Sequence, residues 1–154
     1  MNLRRVTIYL SLGLVTLVAP RWSEATLGEP AESIARDGEA LSAVARSSTS
    51  RTGYTIAEIS SATTCIREYV TTSGTVFAVA WNGLAHPDLS VLLGSYNQEY
   101  RDALGRQPRR LGRRQTQVKS DRVVVETWGH MRNLQGRAYL PELVPEGVSL
   151  YDIH

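Results

Sequence analysis

Residues Gly74–Gly83 read GTVFAVAWNG, and Thr75–Trp81 within them is apolar on both faces of an extended chain. Strand alternation places Val76, Ala78 and Ala80 on one side and Phe77, Val79 and Trp81 on the other. A strand with one wet face does not carry that pattern, because both sets of side chains must leave water. The stretch therefore calls for a central strand with a covering layer on each side.

The neighbouring segments supply partners. Tyr54–Ile59 and Ile66–Thr71 read as two earlier strands, the second joined to the central one by a Thr72-Ser73-Gly74 turn. After Asn82-Gly83, Pro87-Asp88 opens a helix with Asp88 as its N-cap. Leu89, Leu92, Leu93, Tyr96, Tyr100 and Leu104 recur at helical spacing, and Gly105 reads as the stop. Val123–Trp128 and Arg132–Leu140 are a fourth and a fifth strand, joined by a Gly129-His130-Met131 corner. PEGVSLYDIH closes the chain as an extended tail. Upstream, Glu29–Ala45 has helix composition, with Ile34, Leu41 and Val44 as a thin stripe that Gly38 weakens. Arg46–Gly53 reads as a polar linker. The order helix, three strands, helix, two strands predicts an α+β fold. It would be a small antiparallel sheet of about five strands with an amphipathic helix packed on it.

The first 25 residues are laid out as a secretory signal peptide: Arg4 and Arg5, an apolar run from Val6 to Ala19, Pro20, then Ser23 and Ala25 before a cut at Thr26. The run is shorter than the roughly 20 residues that span a bilayer, and no later segment is apolar enough to span one. The expected organisation is a signal peptide at 1–25, an N-terminal helix and polar linker at 26–53, and a single domain at 54–154 with a flexible basic loop at 106–122. Removing the three arginines and one glutamate of residues 1–25 from the 17 basic and 15 acidic residues leaves 14 of each, so the mature chain carries no net charge. Cys65 is the lone cysteine and excludes an intramolecular disulfide. A buried thiol is its favoured role.

The string IREYV, GTVFAVAWNG, HPDLSVLLGSY and VVVETWGHMRNLQGRAYLPELVPEGVS resembles the bacterial exported family catalogued as domain of unknown function 2844. The resemblance covers about Tyr54 to His154. It implies a small exported protein of Gram-negative bacteria, and a larger co-exported protein as partner. It implies no activity and transfers no catalytic residue.

Few groups invite chemistry. His130 as a base, with Glu126 upstream and Arg132 and Arg137 as clamps, would suit an anionic or acyl substrate. The simpler reading makes His130 part of a hairpin corner and pairs the arginines with Glu68, Glu126 or Glu142 across strands. Cys65 is a weaker nucleophile candidate. Gly136 inside a strand points to a bulge or to close approach of another backbone or of a ring, Trp81 or Trp128. His86, His130 and His154 lie too far apart for a metal site, and no motif calls for a cofactor. Arg109, Arg110, Arg113 and Arg114 form a basic cluster without an aromatic residue to stack bases. It fits an anionic envelope surface or an acidic protein face, and not nucleic acid. The aromatic set Phe77, Trp81, Tyr96, Tyr100, Trp128 and Tyr139 would either line a pocket for a small apolar ligand or fill the core. The expected function is a small non-enzymatic protein exported to the periplasm that binds a protein partner or an anionic envelope component, with no transmembrane segment after signal cleavage. A small exported enzyme with His130 as base and an apolar-ligand carrier are the alternatives.

Overall fold

The computed structural model describes residues 27–31, 45–108 and 114–154. They form a seven-stranded antiparallel sheet: β1 (Ala45–Arg51), β2 (Tyr54–Ser60), β3 (Thr64–Thr71), β4 (Val76–Gly83), β5 (Gln115–Lys119), β6 (Val124–His130) and β7 (Asn133–Tyr139). The strand order is β1-β2-β3-β4-β7-β6-β5. The two-faced apolar stretch is β4, at the middle position, with every residue from Val76 to Trp81 buried.

One helical segment crosses one face. It comprises α1 (Leu89–Leu93), a 3-10 turn at Gly94–Tyr96 and α2 (Asn97–Arg106). Asp88 caps α1 as its side chain dictates: Oδ1 accepts from the Ser90 amide at 2.8 Å and the Ser90 hydroxyl at 2.6 Å. Leu92 and Leu93 are fully buried, and Tyr96 and Tyr100 pack on a cluster containing Ile59, Ile66, Val79, Trp81 and Val125. The 3-10 turn has fewer residues per turn than an α-helix, so it shifts the stripe's phase. Ala103 is therefore buried while Leu104 is 41% exposed. Gly105 lies inside α2 and not at its end.

The opposite face is covered by the chain's last residues. Val144, Val148, Leu150 and Ile153 pack on Tyr69, Phe77, Ala78, Ala80, Val124 and Tyr139. The Tyr54, Tyr69 and Phe77 rings meet at centroid distances of 6.0 to 6.2 Å. A β-bulge sets this face: Val70 pairs with Val76 and Tyr69 with Ala78, leaving Phe77 as the extra residue. Phe77 thus joins Ala78 and Ala80 on the tail face, and Val76 joins Val79 and Trp81 on the helix face. Simple alternation assigned these two residues the other way.

The expectation of a five-stranded α+β fold is overturned: the sheet has seven strands, the fold is mostly β, and among the described residues α-helix occurs in one segment, with short 3-10 turns at Pro141–Leu143 and Leu150–Asp152. The two additional strands are the edges. β1 occupies the expected polar linker, with residues 46–51 exposed, and β5 lies inside the expected basic loop, with Val118 its one buried residue. An edge strand of this kind buries little, so it leaves almost no apolar period in the sequence. At the start of the expected N-terminal helix the chain instead bonds to Gly74–Val76: the Gly28 and Ala31 amides donate to the Val76 and Gly74 carbonyls, the Glu29 carbonyl accepts from Val76, and Pro30 bridges Thr75. Residues 32–44 of that helix, and the signal peptide at 1–25, lie outside the described residues. The hairpin corner also moves. β6 runs through His130, and Met131-Arg132 makes the turn, with Arg132 in the left-handed region at φ 65°.

Candidate functional site

The register of the sheet lines up one transverse row on the tail face. Glu58 pairs with Arg67, Arg67 with Ala80, Ala80 with Arg137, Arg137 with Glu126, and Glu126 with Gln117. The row runs acid, base, small apolar, base, acid, amide across six strands. Arg67 Nε donates to Glu58 at 2.9 Å and Arg137 Nε to Glu126. The second Glu126 oxygen accepts from Gln117 Nε2 at 2.6 Å. Each guanidinium faces an acid outward, and each turns another nitrogen to the last residues of the chain. Arg67 Nη1 donates to the His154 carbonyl at 3.0 Å. Arg137 Nη1 donates to the carbonyls of Leu150 and Ile153. Ala80, between the two arginines, shares a cluster with Ile153, which is fully buried. Residues Leu150–His154 thus form a strap clamped over the sheet by two arginines.

Tyr69 adds a third clamp: its hydroxyl accepts from the His154 amide and donates to the His154 carbonyl, both at 3.1 Å. Burial pushes this phenol above its ordinary value, against the opposing effects of the His154 bond and Arg67. Tyr139 is raised too, first by burial and then by the Glu126 carboxylate.

Two cavities of the tail face flank the strap, and His154 lines both. One, of about 580 Å³, is lined by Arg51, Tyr54, Tyr69, Asp152 and His154 among others. The other, of about 420 Å³, is lined by Gln115, Glu126, Trp128, Arg137, Tyr151, Ile153 and His154.

The residues singled out in the sequence do not converge. Glu126 is buried and Arg137 is paired with it, which is one of the cross-strand pairings available to that arginine. His130 is exposed at the end of β6, with Nδ1 3.3 Å from the Met131 carbonyl, and lines neither cavity. Four residues of strand separate it from Glu126, roughly 13 Å, so the carboxylate does not orient the imidazole. Arg132 is exposed in the turn, away from Arg137. Cys65 is half-buried on β3, in register with Ser60 and Asn82. Arg114 is exposed just before β5, while Arg109, Arg110 and Arg113 lie outside the described residues. No group of three or more metal-binding side chains occurs among the described residues. The aromatic set is split by the sheet: Trp81, Tyr96 and Tyr100 belong to the helix face, Phe77 and Tyr139 to the tail face. It therefore forms no single pocket.

Arg67, Gln115, Gln117 and Tyr151 are not among the candidates read from the sequence, and His154 is there only as a histidine too distant for a metal site. Only the register of six strands and the return of the chain end bring them together. The spacing of Glu58 and Arg67 about the turn at Ser61–Thr63 was the one usable signal, since a hairpin there sets them opposite.

Residues 23–153 match the family model described as Protein of unknown function (DUF2844), and the chain belongs to that family. No curated protein and no solved structure matches it.

Proposed function

We propose that this member of the family is a small exported binding protein of the bacterial periplasm, not an enzyme, and that its basic segment engages an acidic protein face or an anionic envelope surface. The supporting observation is how the charges are used. Four charged side chains of the sheet pair with one another, and Arg67 and Arg137 also hold the strap, whereas Arg106 and Arg114, on either side of the other arginines of the cluster, are exposed to solvent. In a mature chain with 14 basic and 14 acidic residues, such a cluster makes a local positive pole, which attracts an anionic surface without making the protein basic overall. The apolar run behind Arg4 and Arg5 supports export.

The test is expression of the full chain in a Gram-negative host, cell fractionation, brief cross-linking and identification of what co-purifies. A parallel variant carries Arg109→Ser, Arg110→Ser, Arg113→Ser and Arg114→Ser. Recovery in the periplasmic fraction with one recurrent partner, lost in the variant and weakened by salt, is expected. Retention in the cytoplasm, or capture unaffected by the four substitutions, sinks the reading.

A further inference from the structure

Tyr151 is 90% exposed, yet its backbone is fixed from both sides. The Ser149 hydroxyl accepts from the Tyr151 amide at 3.2 Å, and the Asp152 carboxylate accepts from the Ser149 amide at 3.3 Å, a reciprocal cap. His154 Nδ1 lies 3.0 Å from the Tyr151 carbonyl, and Arg137 holds the preceding carbonyl. Folding gains little from a ring left in water. A ring carried on a fixed backbone, with only two side-chain torsions left to order, does, however, offer contact area to a ligand at small entropic cost.

The same cavity is lined by Trp128, which is half-buried. Its indole N–H already donates to Gln135 at 3.1 Å and Arg137 lies over one face, its Cζ 5.8 Å from the ring centroid, so it brings its other face and no free donor. Gln115 lines the cavity as well, exposed and with no described partner for its amide. The two charged groups, Glu126 and Arg137, neutralise each other. What remains is two aromatic surfaces, an amide and the His154 imidazole, with no further Asp, Glu, Lys or Arg in the lining to select an ion. A purely apolar ligand would leave those polar groups without partners. A ring with apolar C–H faces and hydroxyl edges satisfies both kinds of surface.

The geometry points to a binding site for a neutral saccharide between Trp128 and Tyr151, with Gln115 and His154 reading its hydroxyls. The site lies outside the basic segment. It rests on the proposed function only in being a site for binding.

The test follows the indole N–H resonances of the chain during titration with maltohexaose, cellohexaose and chitohexaose, with hexagalacturonate as the charged arm. At least one neutral oligosaccharide is expected to shift Trp128 saturably, with Kd on the order of 1 mM or tighter. Buried Trp81 should stay unmoved, and added salt should have no effect. Tyr151→Ala, at an exposed position, should weaken binding about tenfold and leave the fold intact, and Gln115→Ala should weaken it less. Silence of Trp128 at about 10 mM of every neutral oligosaccharide, or binding unchanged by Tyr151→Ala, overturns the inference. Binding of hexagalacturonate alone, abolished by salt and by the four arginine substitutions, overturns it too and supports the basic-segment reading. Saccharide binding without a captured partner would do the reverse.

Discussion

Trp81 of β4 lies directly over Gly136 of β7, its register partner, and its ring takes the space a side chain there would need. A Cβ on Gly136 would come within 2.3 Å of the indole and 2.7 Å of the Glu126 carbonyl. The indole N–H is in turn anchored to His86 Nδ1 at 3.0 Å. The ring therefore cannot give way without losing that bond.

Gly136→Ala should cost about 1–3 kcal/mol by overpacking. Urea denaturation at neutral pH checks this, with Gly105→Ala as the control, since a Cβ there meets nothing within 4 Å. A midpoint for Gly136→Ala equal to that of the parent protein would refute the packing account.

The Glu126–Arg137 pair is the main clamp on the strap, and its side chains are only 11% and 18% exposed. Arg137→Met removes the donor to Leu150 and Ile153 and leaves a carboxylate buried, at a cost of about 3–5 kcal/mol. Glu126→Gln should cost less, since an amide can still accept from Gln117. Amide exchange of Ile153 and His154 should accelerate in Arg137→Met well before the β3–β4 amides do. Uniform acceleration would mean that the strap is not a separate unit.

The alkaline limit follows from three phenols. Burial raises Tyr69, Tyr100 and Tyr139 above their ordinary 10.0. An acid raised in the folded state loses its proton first in the unfolded chain. Its contribution is therefore complete below pH 10.0 and is lost as pH rises through the folded-state values. Tyrosinate absorbance should show a late cooperative step coinciding with unfolding. Smooth titration of every tyrosine near its ordinary value would contradict this.

The acid limit has the opposite sign. The Ser120 hydroxyl first, and then the Arg122 amide and guanidinium, hold the Glu99 carboxyl below its ordinary 4.5. That contact ties α2 to the turn before β6, with Arg122 Nε 2.9 Å from Glu99. A depressed acid contributes stability above pH 4.5 that is lost as pH falls through its folded-state value. Stability of the parent protein should drop below pH 4.5 more steeply than that of Glu99→Gln. Parallel curves would remove Glu99 from the account.

Elements that bury a regular stripe are legible in the amino-acid sequence. Val76–Trp81 announces a covered central strand, and Asp88 with the following leucines announces the helix. Gly136 marks a bulge or a close approach of a backbone or ring, and only its register with Trp81 decides for the ring. The edge strands are not legible, since residues 46–51 bury almost nothing and β5 buries only Val118. Nor is the bulge at Phe77, because one unpaired residue leaves composition unchanged while it exchanges two side chains between faces.

The site divides in the same way. By itself the sequence determined which segments must leave water, where the helix starts, and that the charges of residues 26–154 balance, because these depend on residue type and near-neighbour spacing. Only the tertiary structure decided which charges meet. Glu58, Arg67, Arg137, Glu126 and Gln117 form one row because six strands adopt one register, and residues 150–154 close over that row because Arg67, Tyr69 and Arg137 bind their backbone. Backbone carbonyls are the same in every sequence, so no residue pattern could have foretold where that strap would bind.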